Sequence, residues 1–170
     1  MVEIPLLDAA RIERLGGFLV AGVKQRYALA RDLEAIVQGV GRQWADLRPR
    51  LIELGWPHAG DAYGVCLRVS DGDTAFDYFC GLGIPDESRL PADLSLLALP
   101  PLRCAAFRYR GPKQMLASSY FAIFGRLLPE AGLVPADRRD GTPEFIERFD
   151  AGYDLATETG GPEILVPLKD

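Results

Sequence analysis

One histidine, His58, serves the whole chain of 170 residues, and it stands in the turn-like stretch Trp56-Pro57-His58-Ala59-Gly60-Asp61. A Ser-His-Asp or Cys-His catalytic arrangement would have to be built on that single loop residue, which sets such chemistry aside. Cysteine is nearly as scarce. Cys66, Cys80 and Cys104 are odd in number, widely spaced and embedded in apolar segments, without metal-ligand or redox-pair spacing. They read as small buried hydrophobes of a reducing compartment, and with no signal peptide the chain is placed in the cytoplasm. No apolar run approaches the roughly 20 residues that a bilayer span requires, so no membrane partner is expected. Positive charge is also in deficit, with 19 Lys and Arg against 24 Asp and Glu, a net charge of -5 and a pI near 5.0. This balance opposes the basic footprint of phosphate binding, argues against direct contact with nucleic acid, and suits a neutral or cationic ligand.

With 48% hydrophobic residues, the chain is long enough for one sizeable core, or for two halves sharing one. Strand-like patterning from about Arg11 to Tyr27 surrounds Gly16-Gly17. A helix follows, with Leu33, Ile36, Val37, Val40, Trp44, Leu47, Leu51 and Leu54 at three- and four-residue spacing, and Pro49 is expected to kink or divide it. Tyr63 to Val69 and Phe76 to Gly83 read as strands joined by the turn Ser70-Asp71-Gly72-Asp73. After the polar connection Pro85 to Pro91 the same order returns. Leu94 to Leu99 and Leu102 to Tyr109 are strand-like around Pro100-Pro101, a helix spans about Lys113 to Ala131, and Thr142 to Asp150 and Glu163 to Leu168 are the last strands. The pattern is strand, helix, strand, strand, twice over, with repeats at about 10–84 and 92–169 of one domain covering 1–170.

Phosphate and cofactor motifs are missing. Gly81-Leu82-Gly83 lacks the third glycine and following helix of a dinucleotide fingerprint, and Gly111-Pro112-Lys113 lacks the glycines of a phosphate loop. A hairpin turn accounts for Asp71 and Asp73 without a metal. The arginines of Phe107-Arg108-Tyr109-Arg110 read as a solvated strand face, not a base-stacking strand. No cofactor and no metal are expected.

The feature that stands out is a carboxylate in Phe145-Ile146-Glu147-Arg148-Phe149. Side chains alternate along a strand, so Glu147 shares its face with two phenylalanines. An ionised carboxylate taken from water between aromatic rings is costly without compensation. Either the strand is an edge strand, with Glu147 solvated or paired to an arginine, or the carboxylate meets a cationic ligand. When Gly60 to Cys66 is laid on Gly141 to Glu147, the counterpart of Glu147 is Cys66, so the module does not need the carboxylate to fold.

The order of elements resembles the GyrI-like, or AraC-type effector-binding, domain family over about residues 10 to 168. The segments Tyr63-Gly64-Val65-Cys66, Phe76 to Gly81, Ala106 to Pro112, Glu147 in Phe145 to Asp150, and Ile164 to Leu168 share in the resemblance. What the resemblance implies is an α+β fold of duplicated strand-helix-strand-strand modules. One antiparallel sheet would carry two helices on one face, with a ligand cleft on a pseudo-two-fold axis. It also implies a drug- or effector-sensing module of the kind found in multidrug-responsive transcription regulators, with Glu147 in an aromatic cleft. Phe149 replaces a tyrosine frequent in the family, which removes one hydroxyl from any acid-base chemistry.

Aromatic faces attract organic cations, and one desolvated carboxylate adds charge selectivity. On that logic Trp44 forms one wall, Tyr120, Phe121 and Phe124 the other, and Tyr63, Phe79, Phe149 and Tyr109 complete the candidate ligand site around Glu147. Tyr109 or Tyr153 supplies a phenol. The ten residues before the first strand are too few for a helix-turn-helix, so a stand-alone binder of a hydrophobic, cationic effector or xenobiotic ranks first. A hydrolase of cyclopropane-type toxins using Glu147 ranks second. A gyrase-inhibitor-like protein acting through its surface on a protein partner ranks third.

Overall fold

Among the described residues eight strands form one antiparallel sheet, and two helical segments pack on one of its faces. The computed structural model of the chain describes residues 7–28, 32–68, 74–112, 115–137, 142–153 and 161–170. In chain order the elements are β1 (Arg11–Leu15), β2 (Phe18–Ala28), α1 (Leu33–Glu53), β3 (Ala62–Arg68), β4 (Ala75–Ile84), β5 (Ser95–Leu99), β6 (Leu102–Arg108), α2 (Leu116–Ala122), α3 (Leu128–Glu130), β7 (Phe145–Phe149) and β8 (Glu163–Pro167). A π-helical turn, Ile123–Leu127, joins α2 to α3. It lies just before Pro129, which has no N–H for the carbonyl of Gly125 and whose ring crowds that carbonyl. The wider turn relieves this conflict. The turn at Ser70 to Asp73 and the start of the second helix at Lys113 lie outside the described residues.

All strands pair antiparallel in one sheet of order β1-β6-β8-β7-β3-β4-β2-β5. Read inward from either edge, the order is the same. A leading strand comes first, then the strand before a helix, the last strand of the module, and the strand after the helix. The leading strands are exchanged, since β1 precedes β2 but pairs with β6, while β5 precedes β6 but pairs with β2. β7 and β3 meet at the centre, with Val65 opposite Ile146 and Gly64 opposite Glu147. The edge-strand reading of Glu147 is thereby overturned, because β7 is bounded by β3 and β8.

Asp32 caps α1, its carboxylate accepting from the Ala35 N–H at 2.7 Å. The expected division at Pro49 does not occur. The helix runs through it for 21 residues and ends one turn beyond, so only a short stretch follows the bond that Pro49 cannot donate to the carbonyl of Ala45. Leu47 and Leu51 pack on Tyr27, Cys80 and Leu82, while Ile123 and Leu128 pack on Phe107, Ile164 and Val166. Among the described residues no helix is long and apolar enough to cross a membrane.

Among the described residues, strands alone bury the opposite face of the sheet. Val20, Val65, Phe79, Cys104, Ile146 and Leu165 form its core, with Phe18 against Tyr63 at 4.8 Å between ring centroids. A sheet that buries a face against itself must curl. Gly22 and Gly81, directly opposed on β2 and β4, permit a close backbone approach, since a Cβ on either would fall on a carbonyl oxygen of the other strand. An ion-pair network ties the same face together. Arg148 on β7 donates to Glu13 on β1 at 2.7 and 3.0 Å and to Glu163 on β8 at 2.8 Å, while Arg11 pairs with Glu163.

Candidate functional site

The two helices leave between them a cleft of about 600 Å³ whose floor is the centre of the sheet. Strand parity decides its floor. Phe145, Glu147 and Phe149 point into it from β7, Cys66 from β3, and Phe76 and Tyr78 from β4. Trp44 lines it from α1, and Tyr120 and Phe121 line it from α2, with Phe124 in the π turn beyond.

Glu147 is only 6% exposed. The Tyr78 hydroxyl donates to its Oε1 and the Tyr120 hydroxyl to its Oε2. Trp44 Nε1 donates at 2.9 Å to the Tyr78 oxygen, making a chain from indole to phenol to carboxylate. Aromatic pairs stand on either side. Tyr120 stacks on Phe145 at 4.3 Å, and Trp44 meets Phe149 edge-on at 5.1 Å. Gly64 makes room for this arrangement from the neighbouring strand, since a Cβ there would collide with the Tyr78 hydroxyl and lie 2.6 Å from Glu147 Oε1.

Burial pushes the Glu147 carboxyl above its ordinary range, and the hydrogen bonds from Tyr120 and Tyr78 pull the other way. Burial, together with the charge of Glu147, holds the Tyr78 and Tyr120 phenols well above theirs, so both remain donors. Among the described residues no arginine or lysine pairs with Glu147. Its neighbour Arg148 points to the opposite face and is occupied by Glu13 and Glu163. The site is therefore a desolvated carboxyl with two neutral donors in an apolar, aromatic surround, with carboxylate lone pairs still to spare.

Seven of the nine residues expected at the site line the cleft, namely Glu147, Trp44, Tyr120, Phe121, Phe124, Phe149 and Tyr109. Tyr109 contributes mainly its ring, because its hydroxyl donates to the carbonyl of Pro112. Tyr63 and Phe79 do not reach the cleft. They belong to the cluster on the strand-only face, one residue out of phase with the side chains that point between the helices. Tyr153 lines the cleft beside Phe149, at 5.0 Å. Arg110 is exposed at the surface, where it pairs with Asp8 at 2.7 Å, whereas Arg108 is partly buried and pairs with Asp150 at 2.9 Å.

Tyr78, the residue that orients both Glu147 and Trp44, escaped the sequence reading. The available signal was Asp77, an acidic side chain inside an apolar strand that marks the other face and leaves Phe76, Tyr78 and Cys80 on the helix side. Tyr78→Phe is expected to cost about 1–3 kcal/mol, because it strands the Trp44 N–H and removes a donor from a buried carboxyl. Urea unfolding monitored by circular dichroism measures this, and a change under about 0.5 kcal/mol would contradict the network.

A family model described as the GyrI-like small molecule binding domain matches residues 9–169. The transcriptional regulator BrlR of Pseudomonas aeruginosa is 28% identical over 127 residues, 74% of this chain and 44% of that protein, so the chain spans less than half the length of this curated relative. Among solved structures, SAV2435 bound to tetraphenylphosphonium superposes with a TM-score of 0.73 at 16% identity, over 95% of this chain and 94% of that one. EcmrR in a DNA complex superposes with a TM-score of 0.62 at 12% identity, over 98% of this chain and 59% of that one. At these identities the structural matches establish a shared fold.

Proposed function

Because the chain belongs to the GyrI-like small molecule binding domain family, we propose that its cleft takes a hydrophobic, cationic small molecule against Glu147, as an effector- or xenobiotic-binding module. Glu147 itself carries this reading. A carboxyl 6% exposed, between aromatic pairs and without a cationic partner among the described residues, is poor design for folding and good design for receiving a cation. The aromatic faces add the quadrupole attraction that organic cations find over rings. Similarity to a regulator and to a protein bound to tetraphenylphosphonium points the same way. Three buried thiols, none in a disulfide, suit the cytoplasm as its compartment. In this reading any control of transcription comes through DNA-binding residues outside the stretch described.

A matched pair of probes separates charge from shape. Tetraphenylphosphonium and tetraphenylborate have nearly the same size and opposite charge. Tryptophan fluorescence titration is expected to show saturable binding of the cation, with at least about tenfold weaker binding of the anion, a difference of 1.4 kcal/mol. Equal affinities would remove the charge-selector role of Glu147. The raised carboxyl pKa also favours a second reading, general acid-base hydrolysis of a strained electrophile. Turnover of a cyclopropane alkylator above a Glu147→Ala control would establish it.

A further inference from the structure

Glycine within a helix is less stable than alanine because it loses more backbone freedom on folding, so each helical glycine asks for a reason. Gly39 has one. A methyl there would lie 2.7 Å from Tyr27 Cε1, where α1 rests on the sheet. Gly41 and Gly125 have no reason of that kind. A Cβ on either meets nothing within 4 Å, and both residues line the cleft.

The two glycines also stand in similar sequence surroundings. The step along the chain that lays Leu15-Gly16-Gly17-Phe18 on Leu99-Pro100-Pro101-Leu102 also lays Val37, Val40 and Gly41 on Phe121, Phe124 and Gly125, and all six border the cleft. On each helix the glycine stands one turn from an exposed apolar residue at the rim, Val37 in one case and Phe121 in the other. Between larger side chains, each helix thus presents a stretch of bare backbone to the cavity.

We infer that Gly41 and Gly125 are specificity-determining residues, holding open a slot between the two helices for a bulky, multi-ring arm of the ligand. Given a hydrophobic-cation site, on which this depends, the slot selects cations bearing several aryl groups over compact ones. A cavity of about 600 Å³ falls within the range that holds a drug-sized molecule. The side-chain volume given up at two helix positions is the volume such a ligand fills.

Affinities of Gly41→Ala, Gly125→Ala and Gly41→Leu for tetraphenylphosphonium and for the single-ring cation phenyltrimethylammonium test the slot, alongside thermal midpoints. Each alanine variant is expected to melt about 2–4 °C higher than the wild type. Each should bind tetraphenylphosphonium about tenfold more weakly, and Gly41→Leu about a hundredfold more weakly, with phenyltrimethylammonium changed by less than about twofold. If the wild type binds tetraphenylphosphonium and the glycine variants bind it equally well, the slot is wrong while the cation site stands. Lower midpoints in both alanine variants would also overturn it, by showing that the glycines serve the fold. If the wild type binds neither cation, the cation-site reading fails and the slot fails with it.

Discussion

Replacing Glu147 by glutamine is expected to weaken tetraphenylphosphonium binding while raising the thermal midpoint at pH 8. Truncating one member of a buried charge pair at a binding interface costs about 2–5 kcal/mol, which here means a loss of roughly 30-fold or more. The gain in stability follows from the sign of the proton linkage. Burial raises the Glu147 carboxyl above its ordinary 4.5, against the hydrogen bonds of Tyr120 and Tyr78, so the folded protein holds this proton more tightly than the unfolded chain. The group opposes folding as pH rises from the unfolded value through the folded one, and beyond that the penalty is constant. Glutamine never ionises. Its advantage over the wild type is therefore larger at pH 8 than at pH 4, which scanning calorimetry at the two pH values resolves. Cation affinity of the wild type, by the same linkage, rises with pH, and binding releases protons near the folded-state value. Calorimetry in buffers of different ionisation enthalpy detects that release. Unchanged affinity in the glutamine variant would end the charge-selector account.

The second large effect lies on the other face of the sheet. Arg148→Met is expected to cost about 3–5 kcal/mol, because it leaves the buried Glu163 and the half-buried Glu13 short of a partner, and domains have only about 5–15 kcal/mol in total. Glu163 is 5% exposed and would retain only the half-exposed Arg11 and the more distant Arg108, while Glu13 would retain Arg11. The hydrogen bond from Arg148 holds the Glu13 carboxyl below its ordinary range. Burial pushes Glu163 up, but Arg11 and Arg148 bring it below its ordinary value overall. A carboxylate with a lowered folded pKa stabilises above its unfolded value and loses that contribution as pH falls through the folded one. The wild type should therefore lose stability on acidification below about pH 4.5, and Arg148→Met should lose less. Urea titrations at pH 7 and pH 3.5 measure both effects. A cost under about 1 kcal/mol at pH 7 would mean that these charges behave as surface pairs.

Much of the fold was legible because its signals are local. The 3.6-residue period of Leu33 to Leu54 and the turn residues between alternating segments marked elements that the structure shows within a few residues. Repetition of the element order carried the topology further. Exchange of the leading strands was not legible, because nothing in β1 says whether it pairs with β2 or crosses to β6. That choice is made by partners far apart in the chain, such as Arg11 with Glu163.

At the site, strand parity alone put Phe145, Glu147 and Phe149 on one face, and helix periodicity put Trp44, Tyr120 and Phe124 on the inner sides of two helices. Parity failed for Tyr63 and Phe79 because the central strands are buried on both faces. Apolar and aromatic side chains alternate with one another there, so the pattern shows two faces without saying which one meets the helices. It took packing between distant segments to bring Tyr78, not Phe79, to Glu147, to spend Arg148 on the opposite face, and to leave the carboxylate without a cation among the described residues. Which residues share a face is written in the sequence, since it follows from backbone period. What lies opposite each face depends on the packing of segments distant in the chain, and there an oddly placed glutamate became a cleft with a charge to offer.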